Sequence, residues 1–178
     1  MSKLTGIICL LAALWCAPAA ASVYDLAFQS IDGEELDMAA YRGKVALVAV
    51  TATQCGNSHQ LATLQQIWEK YREKGLVVMG IPSNDFGLEP RKGKAIKEFC
   101  ETNYNAVFPM TSLSRVKGED QHAFFKQVEI DLGKEGLPGW NFYKYLIDRQ
   151  GKVIKVYPTM TQPMDEGLIE DIESALRR

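Results

Sequence analysis

Four cysteines, Cys9, Cys16, Cys55 and Cys100, and two histidines, His59 and His122, hold most of the nucleophilic and metal-ligating capacity of this 178-residue chain. The histidines are too far apart in sequence to suggest a histidine-built metal centre. No two cysteines lie within three positions, which argues against a C-x-x-C disulfide oxidoreductase and against a copper-delivery protein. Cys55 is the candidate reactive centre. A free thiol near pKa ~8.5 is mostly protonated at neutral pH, and a helix N-terminus favours its thiolate. Cys55-Gly56 directly precedes a helix expected to begin near Asn57, and its neighbours Gln54, Gly56, Asn57 and Ser58 are polar or small. The alternative is a buried cysteine packing as a small hydrophobe. A lone nucleophilic cysteine with a distant second thiol suits peroxide reduction. The thiolate attacks the O–O bond, becomes a sulfenic acid and condenses with the other thiol.

The first two cysteines fall in a segment with the features of an export signal. Lys3 is followed by an apolar run over 7–17 and then by Ala-Pro-Ala-Ala-Ala. A cationic start, an apolar run of roughly 7–15 residues and small residues before the cut define a cleavable leader. The run falls short of the roughly 20 residues a bilayer span requires, so no stable membrane insertion is expected. Cleavage is expected after Ala21 or Ala19. Removing residues 1–21 takes away Lys3 and no acid, which moves the formal charge from -2 to -3. The mature chain then keeps Cys55 and Cys100 and works in an exported compartment, the periplasm, where disulfides can form. With no basic surplus, nucleic acid is not an expected partner.

The elements that must position Cys55 can be read from the pattern. Residues 24–30 and a strand ending near Leu36 flank Asp32-Gly33 as a hairpin. Val45–Ala52 is an apolar, β-branched run that fits a strand buried on both faces. Leu61, Leu64, Trp68 and Tyr71 recur at helical spacing and Gly75 ends that helix. Leu76–Ile81 is a second buried strand, completing a β-α-β unit. Beyond it come a helix over 92–103 carrying Ile96, Phe99 and Cys100, a short strand over 107–111 and a helix over 120–128. Strands over 142–148 and 152–157 form a hairpin, and a last helix uses Leu168, Ile169, Ile172 and Leu176. This order describes one α/β domain over 22–178 with a thioredoxin-like fold: a mixed central sheet flanked by helices, with an N-terminal β-hairpin.

Several separated motifs resemble the glutathione peroxidase family, in its cysteine-containing, thiol-dependent bacterial type. They are Gln54-Cys55-Gly56-Asn57-Ser58-His59-Gln60, the run from Gly80 to Gly87 with Glu89-Pro90, Ile96 through Cys100, Phe108-Pro109-Met110, and Trp140-Asn141-Phe142 with Lys144-Tyr145-Leu146 and Asp148. Together they cover most of residues 24–178 in the family's order. The resemblance implies that Cys55 is the peroxidatic residue and that Trp140 and Asn141 donate hydrogen bonds toward the sulfur or the peroxide. Otherwise Trp140 would read as a core aromatic and Asn141 as a turn residue. Cys100 falls where thiol-dependent members carry a resolving cysteine, and its segment is expected to unwind to reach Cys55. Two positions depart from the pattern. Asp85 stands where the family has glutamine, and an ionised carboxylate only accepts hydrogen bonds. Ser83 stands where many members have a further cysteine.

The resemblance implies reduction of hydrogen peroxide and of organic or lipid hydroperoxides, as part of a response to oxidative stress. It implies no bound cofactor and a thiol reductant, either a thioredoxin-like protein or glutathione. The chain lacks the long oligomerisation insertion of tetrameric relatives, so a monomer is expected. The alternatives are a peroxide sensor or redox relay, and a thioredoxin-like module impaired in catalysis.

Overall fold

The computed structural model describes residues 22–178. The expected leader, with Cys9 and Cys16, lies outside the described residues. The elements are β1 (Ala27–Gln29), β2 (Glu35–Asp37), β3 (Val45–Thr51), α1 (Gln60–Tyr71), β4 (Leu76–Pro82), α2 (Lys94–Tyr104), α3 (Ala123–Leu132), β5 (Lys144–Ile147), β6 (Val153–Tyr157) and α4 (Glu166–Arg177). The main sheet runs β4-β3-β5-β6, and β1 pairs with β2 in a separate hairpin. β3 lies parallel to β4 and antiparallel to β5, and β5 lies antiparallel to β6. This is the thioredoxin-like mixed sheet.

Every residue of β3 is buried. Its side chains alternate between two cores, as a strand's period of two requires. Val45, Leu47 and Ala49 pack with α1, α2 and α4 through Leu61, Leu64, Ile96, Leu168 and Ile172. Ala46, Val48 and Val50 face Phe124, Phe125 and Val128 of α3. A continuous apolar run is therefore what this position demands. Among the described residues no helix is long and apolar enough to cross a membrane.

Several expected elements differ in extent: α3 covers Ala123–Leu132 rather than 120–128 and β5 covers Lys144–Ile147 rather than 142–148, and three more differ near the site and the N-terminus. The first hairpin strand begins at Ala27, because Ser22 caps a 3-10 turn over Val23–Asp25. Tyr24 is held there by its hydroxyl, which donates to the Lys44 carbonyl at 2.6 Å. The expected strand over 107–111 reduces to isolated bridges, Met110 with Gly80 and Thr111 with Ser30. Pro109 has no N–H to extend a ladder there. α1 begins at Gln60 rather than near Asn57.

Gly151 in the β5–β6 turn has φ +84°, and a Cβ there would lie 1.9 Å from Ser22 Oγ and 2.8 Å from Tyr24 Cδ2. Gly56, beside Cys55, has open space around its Cβ position and no positive φ. Gly151→Ala is therefore expected to lower the unfolding free energy by about 2 kcal/mol, with Gly56→Ala within about 0.5 kcal/mol of the parent. Chemical denaturation of the two variants checks this.

Candidate active site

Three loops meet at the C-terminal end of β3. The chain leaving β3 carries Cys55. The chain leaving β4 starts beside it, with Ser83 N donating to the Thr51 carbonyl at 3.0 Å. The chain entering β5 is fixed by Phe142 N to the Val50 carbonyl at 2.7 Å and by Val50 N to the Tyr143 carbonyl at 3.0 Å. The loop after β6 joins them, since Lys144 is paired with Tyr157 and Thr159 Oγ1 donates to the Asn141 carbonyl at 2.7 Å. The ends of these strands thus bring the Cys55, Ser83–Glu89 and Trp140–Asn141 segments to one edge of the sheet, the position at which open α/β sheets place ligands.

Cys55 is a free thiol, 3% exposed, and packs with the α1-side core rather than standing in open polar surroundings. A stack of turns separates it from α1: Ser58 N donates to the Cys55 carbonyl at 2.9 Å and Gln60 N to the Asn57 carbonyl at 2.9 Å. The sulfur therefore stands a turn ahead of the helix proper, further from the dipole's end than the sequence implied. Its polar contact is the Asn57 side-chain amide, with Nδ2 4.0 Å from Sγ.

Asn141 is fully buried, and both ends of its side-chain amide lack a hydrogen-bond partner among the described residues. Such orphaned amides are rare in native proteins and call for an explanation, a reactive site being one. Trp140 is 44% exposed and packs against Phe86 in a tilted arrangement, with ring centroids 5.2 Å apart and the planes at 47°.

Asp85 is turned to another task. Its Oδ2 accepts from Val116 N at 2.7 Å and Lys117 N at 3.1 Å, and its Oδ1 pairs with Arg115 Nε at 2.8 Å. The carboxylate clamps the 115–117 turn and makes no hydrogen bond to Cys55. Asn84 also serves the loop, its Oδ1 accepting from Glu89 N at 3.0 Å.

Cys100 is 1% exposed on the inner face of α2 and is also a free thiol. Burial, with the Glu89 and Glu101 carboxylates opposing thiolate charge, pushes its pKa up to about 12, against a smaller pull from Arg91. Between the two thiols lies a network that the sequence reading did not single out. Glu89, 1% exposed, accepts from Thr53 N and Thr53 Oγ1, each at 2.7 Å, and from Arg91 N at 3.1 Å. The Arg91 guanidinium donates to Thr53 Oγ1 at 2.8 Å and covers the Phe99 ring at 4.3 Å. Gln54 N donates to the Leu88 carbonyl at 3.0 Å. A buried carboxylate thus ties the Cys55 loop to the approach of α2. The available sequence signal was Glu89 beside Pro90 in an otherwise loop-like stretch.

A second buried charge was also missed. Lys144 is fully buried, with Nζ donating to Gln60 Oε1 at 2.9 Å and to the Phe142 carbonyl at 2.7 Å. Burial pushes its pKa down to about 8, against the attraction of Asp165. A lysine opening an apolar strand was the signal.

Comparison with known proteins agrees with this arrangement. The family model described as glutathione peroxidase matches residues 23–129. The chain is similar to the glutathione peroxidase-like peroxiredoxin of Schizosaccharomyces pombe, 38% identical over 86% of this chain and 98% of that one. It is similar to the hydroperoxy fatty acid reductase of Synechocystis sp., 36% identical over 87% and 96%. The crystal structure of Trgpx in its apo form superposes with a TM-score of 0.71 at 30% identity, covering 89% of this chain and 98% of that one.

The thiol of Cys100 yields a linkage prediction. The folded pKa lies above the ordinary value of 9.0, so the unfolded chain releases a proton that the folded chain keeps. Stability from this group is complete below pH ~9 and is lost as pH rises toward 12. In a Cys55→Ser background, which prevents bridging, the stability advantage of Cys100 over Cys100→Ala is expected to shrink by about 1 kcal/mol between about pH 8 and about pH 10. Urea denaturation at the two pH values measures it, and a constant gap would contradict the burial of the thiol. The family model spans more than half of the sequence and the two relatives cover 86% and 87% of it; the chain belongs to the glutathione peroxidase family.

Proposed function

We propose that Cys55 is the nucleophile of a thiol-dependent peroxidase and Cys100 its resolving partner. The observation that carries the reading is the buried, unpartnered Asn141 amide at the sheet edge that holds Cys55. In the first step the Cys55 thiolate attacks one oxygen of a hydroperoxide. An S–O bond forms, the O–O bond breaks, and the leaving oxygen takes a proton and departs as water or an alcohol. The sulfur has lost two electrons and is a sulfenic acid. The Asn141 Nδ2 and Trp140 Nε1 donors stabilise charge developing on the sulfur and the leaving oxygen. Asp85, committed to the 115–117 turn, has a structural role in this reading.

In the second step the Cys100 sulfur attacks the sulfenic sulfur, a disulfide forms and water leaves. Of the eleven residues of α2, only Ile96 and Cys100 are buried, so lifting the helix costs little core. Local opening of such thinly packed elements is the low-energy end of native fluctuation. A thioredoxin-like dithiol or glutathione then returns both thiols.

Exposed Met160, Met164 and Trp140 present apolar surface beside the Asn141 loop. This supports organic and lipid hydroperoxides as substrates together with hydrogen peroxide, in keeping with the Synechocystis relative. Residues 1–21 serve in this reading as an export signal, which places the enzyme in the periplasm as a monomer supplied by a reducing partner of that compartment.

Peroxide consumption with a thioredoxin system and with glutathione, side by side, tests the reading. Many equivalents per enzyme are expected, with Cys55→Ser inactive and Asn141→Ala slower by about 10²- to 10³-fold in kcat/KM. Consumption that stops at one equivalent with both reductants, or that survives Cys55→Ser, would overturn it.

A further inference from the structure

Phe142 combines two properties that rarely meet. Its ring is fully buried, and its backbone has φ +63°. The left-handed region is unfavourable for a bulky residue and persists only where surrounding contacts over-determine it. Here the surrounding contacts form a closed circuit. Lys144 Nζ donates to the Phe142 carbonyl and to Gln60 Oε1. Gln60 Nε2 donates to the Thr159 carbonyl at 2.9 Å, and Thr159 Oγ1 donates to the Asn141 carbonyl. The two consecutive carbonyls, of Asn141 and Phe142, are therefore both held by one buried network, while the Asn141 side chain is left without partners.

The lysine is the costly member. Lys144 has no carboxylate within ion-pair distance among the described residues, and it is fully buried. Burying an ammonium without a carboxylate is expensive, and an apolar side chain of the same length is often neutral or stabilising in such places. A charge at this position answers a need other than core stability. With the value near 8 it remains an ammonium at neutral pH, with donors for both carbonyl-type acceptors.

We propose that Lys144 is a positioning residue for Asn141. Its buried ammonium, braced by Gln60 and Thr159, holds the strained Asn141–Phe142 backbone from which the asparagine amide serves the Cys55 thiol. This rests on the assignment of Asn141 made above.

The test is the second-order rate of Cys55 oxidation by hydrogen peroxide in the parent protein, Asn141→Ala, Lys144→Met and the double variant. Lys144→Met is expected to lose about 10- to 100-fold in that rate, the scale of a misplaced reacting group. In the double variant the rate is expected to fall no more than about twofold below Asn141→Ala alone, because groups acting through one another are not additive. Thr159→Val, which removes the hydroxyl without changing shape, is expected to slow oxidation, and Thr159→Ser to stay within about twofold of the parent. This pair decides the matter should Lys144→Met fail to fold. A Lys144→Met rate within twofold of the parent, losses that multiply in the double variant, or a Thr159→Val rate equal to the parent would overturn the positioning role. An Asn141→Ala rate equal to the parent would remove the assignment beneath it and the proposal together, and is recognisable as such because it appears in the single variant.

Discussion

The last two residues of β3 carry the architecture of the site. Val50 exchanges backbone hydrogen bonds with Phe142 and Tyr143, and the Thr51 carbonyl takes the N–H of Ser83. Three loops distant in sequence are thereby pinned to one dipeptide in a fully buried strand. Neither residue is reactive, and no side-chain chemistry marks them. Their effect is to make the separation between the cysteine loop and the Trp140–Asn141 loop a property of the sheet, which is rigid, rather than of the loops. Orientation supplied by a rigid scaffold is what a positioned nucleophile needs.

On that frame the protein places two buried charges where each bridges separate segments of chain. Glu89 receives two bonds from Thr53 and so fixes the chain two residues before Cys55. Lys144 holds the carbonyl one residue after Asn141. Neither is cheap as a stabilising device, since a buried charge gains little net energy even when well bonded. What each supplies is definition: a fully bonded buried polar group accepts one arrangement and penalises the others. Glu89 also acts on the second thiol, since its charge helps to raise the pKa of Cys100.

The sheet was legible because burial on both faces leaves an unmistakable pattern. The apolar runs over Val45–Ala52 and Leu76–Ile81 and the helical spacing of Leu61, Leu64 and Tyr71 fall on the observed β3, β4 and α1 to within a residue at the strand ends. Cys55 stood out by type and company, whereas Trp140 and Asn141 came to notice only through the family resemblance, and the backbone bonds of Val50 put their segment beside the Cys55 loop. The turn stack ahead of α1 was not, because residues 57–59 have no propensity that separates a 3-10 turn from a first helical turn. Asp85 was read against an expected glutamine at the site, whereas its direction is decided by the backbone N–H groups of Val116 and Lys117, thirty residues away. Glu89, Lys144 and Phe142 belong to the resembling motifs, but their roles were unreadable for the same reason: those roles lie in what long-range folding puts beside them.

The reduced structure stores its second thiol under a helix held by few buried side chains, with the first thiol behind a loop that a buried carboxylate keeps still. The account stands or falls on whether oxidation of one cysteine draws out the other. The direct measurement is to treat the reduced protein with one equivalent of hydrogen peroxide, block remaining thiols with an alkylating agent and map the products by mass spectrometry. The account predicts a Cys55–Cys100 disulfide as the principal product. An alkylated Cys100 beside a Cys55 that has gone on to sulfinic acid would contradict it.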